Sequence, residues 1–339
     1  MLVIRRACYN IFTMLTARQH NYIRNLSAIV ICACILIAST LIDWVIIFDR
    51  FAGFDFEPTA AMTSLKNDLD LSTRANIIFS ATHPTIKDGN DFNRACSAVS
   101  REVSVLGCYD GQHIFIYNVT HPELEGIQQS TLAHELLHAI WDRLPDSTQD
   151  SISVDLDAIY EANIDRLKPR LDLYPDDSFF AELHSIIGTE FINLPDRLEV
   201  HYARYFNDQN RVVSFYDQYA TKFEKLRTEA EALFAQIAIN KELIEAKVAN
   251  YNDAVTELSA AITDFNRRAE GGYFTSVAAF NAERATLIAQ QQKLEQLHGE
   301  ITALEKETNA LIEKYNDNFA RTQILLDSIN SNATPTPEV

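Results

Sequence analysis

Between Pro195 and Pro335 the chain contains no proline, and apolar residues recur there at heptad spacing. Proline ends or kinks helices, so its absence permits very long ones, and a heptad seam needs a second helix to cover it. The first seam runs from Phe223 through Leu226, Leu233, Ile244, Tyr251 and Leu258 to Phe265, and the second from Phe280 through Leu287, Leu294, Ile301 and Leu311 to Tyr315. Glu270, Gly271 and Gly272 separate them. Two helices of similar length joined at a glycine turn predict an antiparallel coiled-coil hairpin over 209–331, roughly 80 Å long at 1.5 Å per residue. A single rod would carry two adjacent helix-weakening glycines at its centre. The tail, 332–339, reads as disordered on composition.

The rest of the chain is bounded by its charge. The 339 residues include 47 acids and 29 bases, a net charge of -18, which repels phosphate backbones and excludes nucleic acid as a partner. With 47% hydrophobic residues the chain is neither disordered nor collagen-like, and nine glycines, well below the average of ~7%, favour helix. Residues 1–25 hold Arg5, Arg6, Arg18 and Arg24 and no acid. Leu26–Phe48 follows, apolar apart from Ser, Thr and Asp43, and about 20 such residues suffice to cross a bilayer as a helix. The expectation is a transmembrane helix over 26–48 in contact with the lipid bilayer, in a single-pass protein of the cell membrane. The arginines before the span and the acids after it place the basic segment 1–25 in the cytoplasm and the catalytic domain outside.

Beyond that run stand only two cysteines, Cys96 and Cys108, a disulfide candidate for an oxidising compartment, with two buried thiols as the alternative. Residues 49–75 read as a juxtamembrane stem with a helical stretch from Pro58 to Leu71. Asn76–Ser80 reads as a first strand, and Asp110-Gly111 as the turn of a hairpin whose second strand is Ile114–Tyr117. Helical patterns follow at Gln128–Leu144, Asp150–Arg170, Ser178–Phe191 and Asp196–Phe206. Strands first and helices later predict an α+β domain over 76–208.

Within the first of those helices lies His134-Glu135-Leu136-Leu137-His138, the HExxH pattern. Residues i and i+4 project from one helical face, so both imidazoles can reach one metal ion with Glu135 beside it. A Zn2+ cofactor held there polarises a carbonyl and lowers the pKa of a water, whose proton Glu135 takes and later returns to the leaving amine. Leu132, Leu136, Leu137, Ile140 and Leu144 make this a buried helix, where unligated histidines and a glutamate would be costly.

On these residues the chain resembles the zincin superfamily of metallopeptidases, and within it the glutamate zincins, whose third zinc ligand is a Glu on a later helix. The resemblance covers about residues 76–206 and implies a zincin-like fold in which an edge strand ahead of the active-site helix binds the extended substrate; His113–Tyr117 is placed accordingly. The stretches STLAHELLHAIWDRL, FFAELHSIIGTE and LPDRLEVHYARYF also resemble uncharacterised membrane-anchored zinc peptidases of bacteria. Trp141 stands where the longer metzincin pattern needs Gly, which argues against that branch.

Glu182, in an amphipathic helix with small Ser185 three residues on, is the preferred third ligand; Glu190, Glu199 and His184 are alternatives of permitted type. His201 and Tyr202, with Tyr205, are candidate transition-state donors, since related peptidases keep a His or Tyr in this region. Asp142, four residues after His138, is either an orienting partner for that imidazole or a solvent-facing acid. The expected activity is a membrane-anchored zinc metallopeptidase, an endopeptidase in preference to an exopeptidase, acting on a peptide or protein substrate. The coiled coil would position it, recruit a protein partner or self-associate. The competing expectation is an envelope scaffold acting through the hairpin, with an inactive or regulatory zincin-like domain. An intact Glu135 favours the enzyme, because metal binding alone needs no general base.

Overall fold

The structure is a computed structural model that describes residues 44–97 and 106–331. Helices α1 (Trp44–Ala52), α2 (Ala60–Asp68) and α3 (Thr73–Ala81) come first, then strand β1 (Thr85–Lys87) and α4 (Gly89–Cys96). Strands β2 (Gly107–Tyr109) and β3 (Ile114–Tyr117) lead into α5 (Ile127–Trp141), which carries the HExxH residues. After it come α6 (Asp146–Ala162), α7 (Ile164–Leu171), α8 (Phe179–Glu190) and α9 (Asp196–Tyr202), and finally the long pair α10 (Gln209–Glu270) and α11 (Val277–Ile329).

The α+β expectation is overturned. Helix accounts for 77% of the structure, and the strands form one small sheet in the order β1-β3-β2. Asn76–Ser80, expected as a strand, lies inside α3. There the Ser72 hydroxyl accepts the Ala75 N–H at 3.2 Å, and Ala75, Ile78 and Phe79 turn inward at helical spacing. A good cap and a buried stripe outweigh the β-propensity of two isoleucines and a phenylalanine. The helix expected over Asp150–Arg170 is two, parted at Asn163.

β3 is the central strand, parallel to β1 (Thr85 opposite Phe115) and antiparallel to β2 (Cys108 opposite Phe115). His113–Tyr117 is therefore not an edge strand; β2 holds the edge on the HExxH side. The Asp110 carboxylate fixes the turn between them by accepting the Gln112 and His113 N–H groups at 2.8 and 2.6 Å. Cys96 and Cys108 form a disulfide that joins the end of α4 to the middle of β2.

The membrane expectation is likewise corrected. Among the described residues no helix is long and apolar enough to cross a membrane. Of the expected span, residues 26–43 lie outside the described residues, as do the basic segment 1–25 and the tail 332–339. Trp44–Phe48 open the nine-residue α1, which packs on α3 and buries Asp49 in an ion pair with Arg143. The expected stem is part of the core, since Met62, Leu65, Leu69 and Leu71 join Ile114 and Ile116 of β3, Leu136 of α5 and Leu183 of α8 in one cluster. Each such side chain contributes about 1.5–3 kcal/mol by leaving water.

α10 and α11 run antiparallel, with Phe265 against Phe280 near the turn (ring centroids 5.0 Å), Tyr251 against His298 midway and Phe234 against Tyr315 nearer the root. At the root Leu226 and Leu325 pack on Val119, Leu124 and Ile127, the residues that lead into α5. Arg166 and Arg170 both bond the buried Glu190 at the end of α8, at 2.9 and 2.6 Å, and Arg166 also faces the Tyr216 ring of α10. The hairpin is thus seated on the two helices that form the site.

Candidate metal centre

α5 presents His134 and His138 one turn apart, and α8 crosses it so that Glu182 meets them. The crossing is close because α8 has Gly188 at the contact, where a Cβ would come within 2.6 Å of Leu137 Cδ1 and Tyr202 Cε1. The Nε2 atoms of the two histidines are 3.2 Å apart; Glu182 Oε1 is 3.5 Å from His134 Nε2 and Oε2 is 2.8 Å from His138 Nε2. Ligands about 2.0–2.1 Å from a tetrahedral zinc lie roughly 3.3 Å from one another, so the three groups fit one such ion. His134, His138 and Glu182 are the group of metal-ligating type whose ligand atoms converge among the described residues. The imidazoles are about one-fifth exposed and the carboxylate is almost dry, so the cluster opens to solvent on its histidine side.

The two carboxylates of the site are driven apart. Burial pushes Glu182 upward, but the imidazoles of His134 and His138 outweigh it and hold the group well below the usual carboxylate range. Its place in the first turn of α8, at the positive end of the helix dipole, acts in the same sense. Glu135 has no such neighbourhood: burial raises it to about 7, the nearby Glu182 adds to the rise, and His138 and the backbone N–H of Tyr109 oppose it. One carboxylate is fixed as an anion and the other is poised to exchange a proton near neutrality.

Gly107 is what lets β2 lie against Glu135. A Cβ there would sit 2.8 Å from Glu135 Oε1 and 2.6 Å from Thr131 Cγ2. The next outward-facing N–H of the strand, that of Tyr109, favours the charged form of the same carboxylate. Neither residue is prominent in the sequence, although a glycine inside a strand is a recognised sign of close approach. Tyr174, also unforeseen, lies between α7 and α8 near Glu182, and burial together with that carboxylate's charge raises its pKa.

The remaining expected residues lie elsewhere. Glu190 is taken up by Arg166 and Arg170, and Glu199 is exposed on α9. His184 is fully buried with its Nε2 2.9 Å from His201 Nε2, and the Tyr202 hydroxyl donates to the His184 carbonyl at 2.8 Å. His201 and Tyr202 therefore make their polar contacts with His184 and not with the ligand cluster. Burial lowers His184 well below the ordinary histidine value and His201 to about 4, and it raises Tyr202. Asp142 caps the end of α5 and faces solvent.

Compared with protein-family models, curated proteins and solved structures, the chain has no significant match.

Proposed function

We propose that the protein is a zinc-dependent metallopeptidase acting as an endopeptidase on peptide or protein substrates. The observation that carries this reading is the convergence of His134, His138 and Glu182 with a fourth group, Glu135, that is buried beside them and is not a member of the ligand set. Metal binding alone needs no general base, and Glu135 stands beside the ligands without being one of them.

When bound, zinc supplies a Lewis acid that polarises the scissile carbonyl and acidifies the attacking water. The chain does the rest. His134 and His138 present Nε2 from successive turns of a rigid, buried helix, and Glu182 brings one negative charge from the crossing helix. Glu135 accepts the proton of the attacking water and gives it to the leaving amine, for which a group poised near the working pH is suited. The backbone at Gly107 lies against that carboxylate and limits how far it can turn.

The test is metal content and proteolysis of the full chain and of Glu135→Gln. The expected result is about one zinc per chain in both, with turnover lowered by roughly 10²–10⁴ in the variant. Zinc-loaded Glu135→Gln with unchanged turnover would refute the assignment of the base, and a purified chain that takes up no zinc would refute the site.

A further inference from the structure

We infer that Arg143 is a positioning residue for this site, holding β2 against Glu135 from a clamp formed with Asp49 of α1. The inference rests on the peptidase reading above for its catalytic consequence and on geometry for the clamp itself.

Arg143 lies just past the end of α5 and uses nearly every donor it has. Nε bonds both carboxylate oxygens of Asp49 at 3.1 and 2.9 Å, and Nη2 bonds Oδ1 at 3.0 Å. Nη1 bonds the Ala139 carbonyl at 2.8 Å, where a cation also favours the helix end. The same Nη1 donates at 3.1 Å to the Tyr109 hydroxyl, which in turn donates to the Gly111 carbonyl at 2.8 Å. The tyrosine is thus gripped at its tip by Arg143, and two residues before it in the same strand Gly107 lies directly against Glu135.

The ion pair is almost dry, with side-chain exposures of 16% for Arg143 and 9% for Asp49. A buried pair of this kind barely repays its desolvation, and an apolar pair of similar volume would stabilise the fold as well or better. What the guanidinium provides that apolar groups do not is direction: five fixed donors that set α1, the last turn of α5 and β2 in one arrangement. Removing the grip frees the Tyr109 ring, lets the three-residue β2 shift, and turns Glu135 from its line of attack without touching a metal ligand. The clamp also makes α1 part of the machinery, through Asp49.

Arg143→Lys keeps the charge facing Asp49 but cannot serve Tyr109 and Ala139 together, and Tyr109→Phe removes only the hydroxyl. Both are made in the full chain and assayed on one peptide selected from a quenched fluorescent library. The expected result is a fall in kcat of about tenfold or more in each, at unchanged KM and zinc content, with the double variant no worse than the poorer single. Amide exchange at Tyr109, read in the metal-free chain, should quicken about tenfold in both variants. Wild-type kcat in both variants, losses that multiply in the double variant, or unchanged Tyr109 exchange would each overturn the inference. Should the unaltered chain cleave no peptide, the peptidase reading falls, and the exchange measurement alone decides whether Arg143 positions β2.

Discussion

Two glutamates about two helix turns apart, Glu182 and Glu190, show how neighbours decide what an acid does. Both are almost completely buried on α8. Glu182 faces two imidazoles and Glu190 faces two guanidiniums. Heptad arithmetic and hydrophobic periodicity cannot separate them, because both lie on the buried side of the same amphipathic helix. The consequence is measurable. Glu182→Gln should weaken zinc binding by roughly a hundredfold or more, beyond the usual effect of an orienting partner. Glu190→Gln should leave zinc affinity within a few-fold of the unaltered chain while lowering thermal stability, because it strands two arginines. Competition with a chromogenic chelator reads the first quantity and a melting curve the second; equal zinc affinities in the two variants would remove Glu182 from the ligand set.

Among the elements, legibility followed the length over which a pattern persists. The long pair α10 and α11 and the helix of the HExxH residues carry their periodicity over many turns, and the Asp110-Gly111 turn is a local signal with a local cause. The short elements were not readable in this way. Asn76–Ser80 has too few residues to display a period, and its fate is settled by the Ser72 cap and by what Ile78 and Phe79 find to pack against. The order of strands in the sheet depends on a parallel partner, β1, whose three residues carry no distinguishing pattern. Within the site, His134, Glu135 and His138 are spaced by one helix and visible in the sequence, whereas Gly107, Tyr109, Arg143 and Tyr174 matter only through contacts between elements. The close approach of β2 to α5 gives the second test at this scale. Gly107→Ala should cost about 1–3 kcal/mol as the new methyl displaces Glu135 and Thr131, and activity should fall with it. Denaturant unfolding that leaves the variant as stable as the parent would show that the two elements have room to spare.

Over the whole molecule, buried titrating groups oppose one another in acid. An unfolded histidine binds its proton near 6.5, but His201 in the fold does so only at about 4, so its contribution to stability is lost as pH falls between those values. His184 acts in the same direction. Glu135 runs the other way in the metal-free chain, because a carboxyl raised to about 7 is stabilised by protonation. The net slope therefore conceals its parts, and a difference measurement recovers them. The stability gap between the metal-free parent and His201→Gln should narrow by on the order of 3 kcal/mol as pH is lowered from 7 to 4. Chemical denaturation at a series of pH values checks this, and a gap that stays constant would mean the histidine pair takes up protons without loss of structure. The Cys96–Cys108 bond bears on the chain as a connected object. A single backbone cut anywhere between those two cysteines, by a second copy of this protein or by another peptidase, releases no fragment. The nicked molecule migrates on a denaturing gel as one covalent species and comes apart only once a thiol is added, so self-cleavage in that stretch would pass unseen in any preparation judged without reductant.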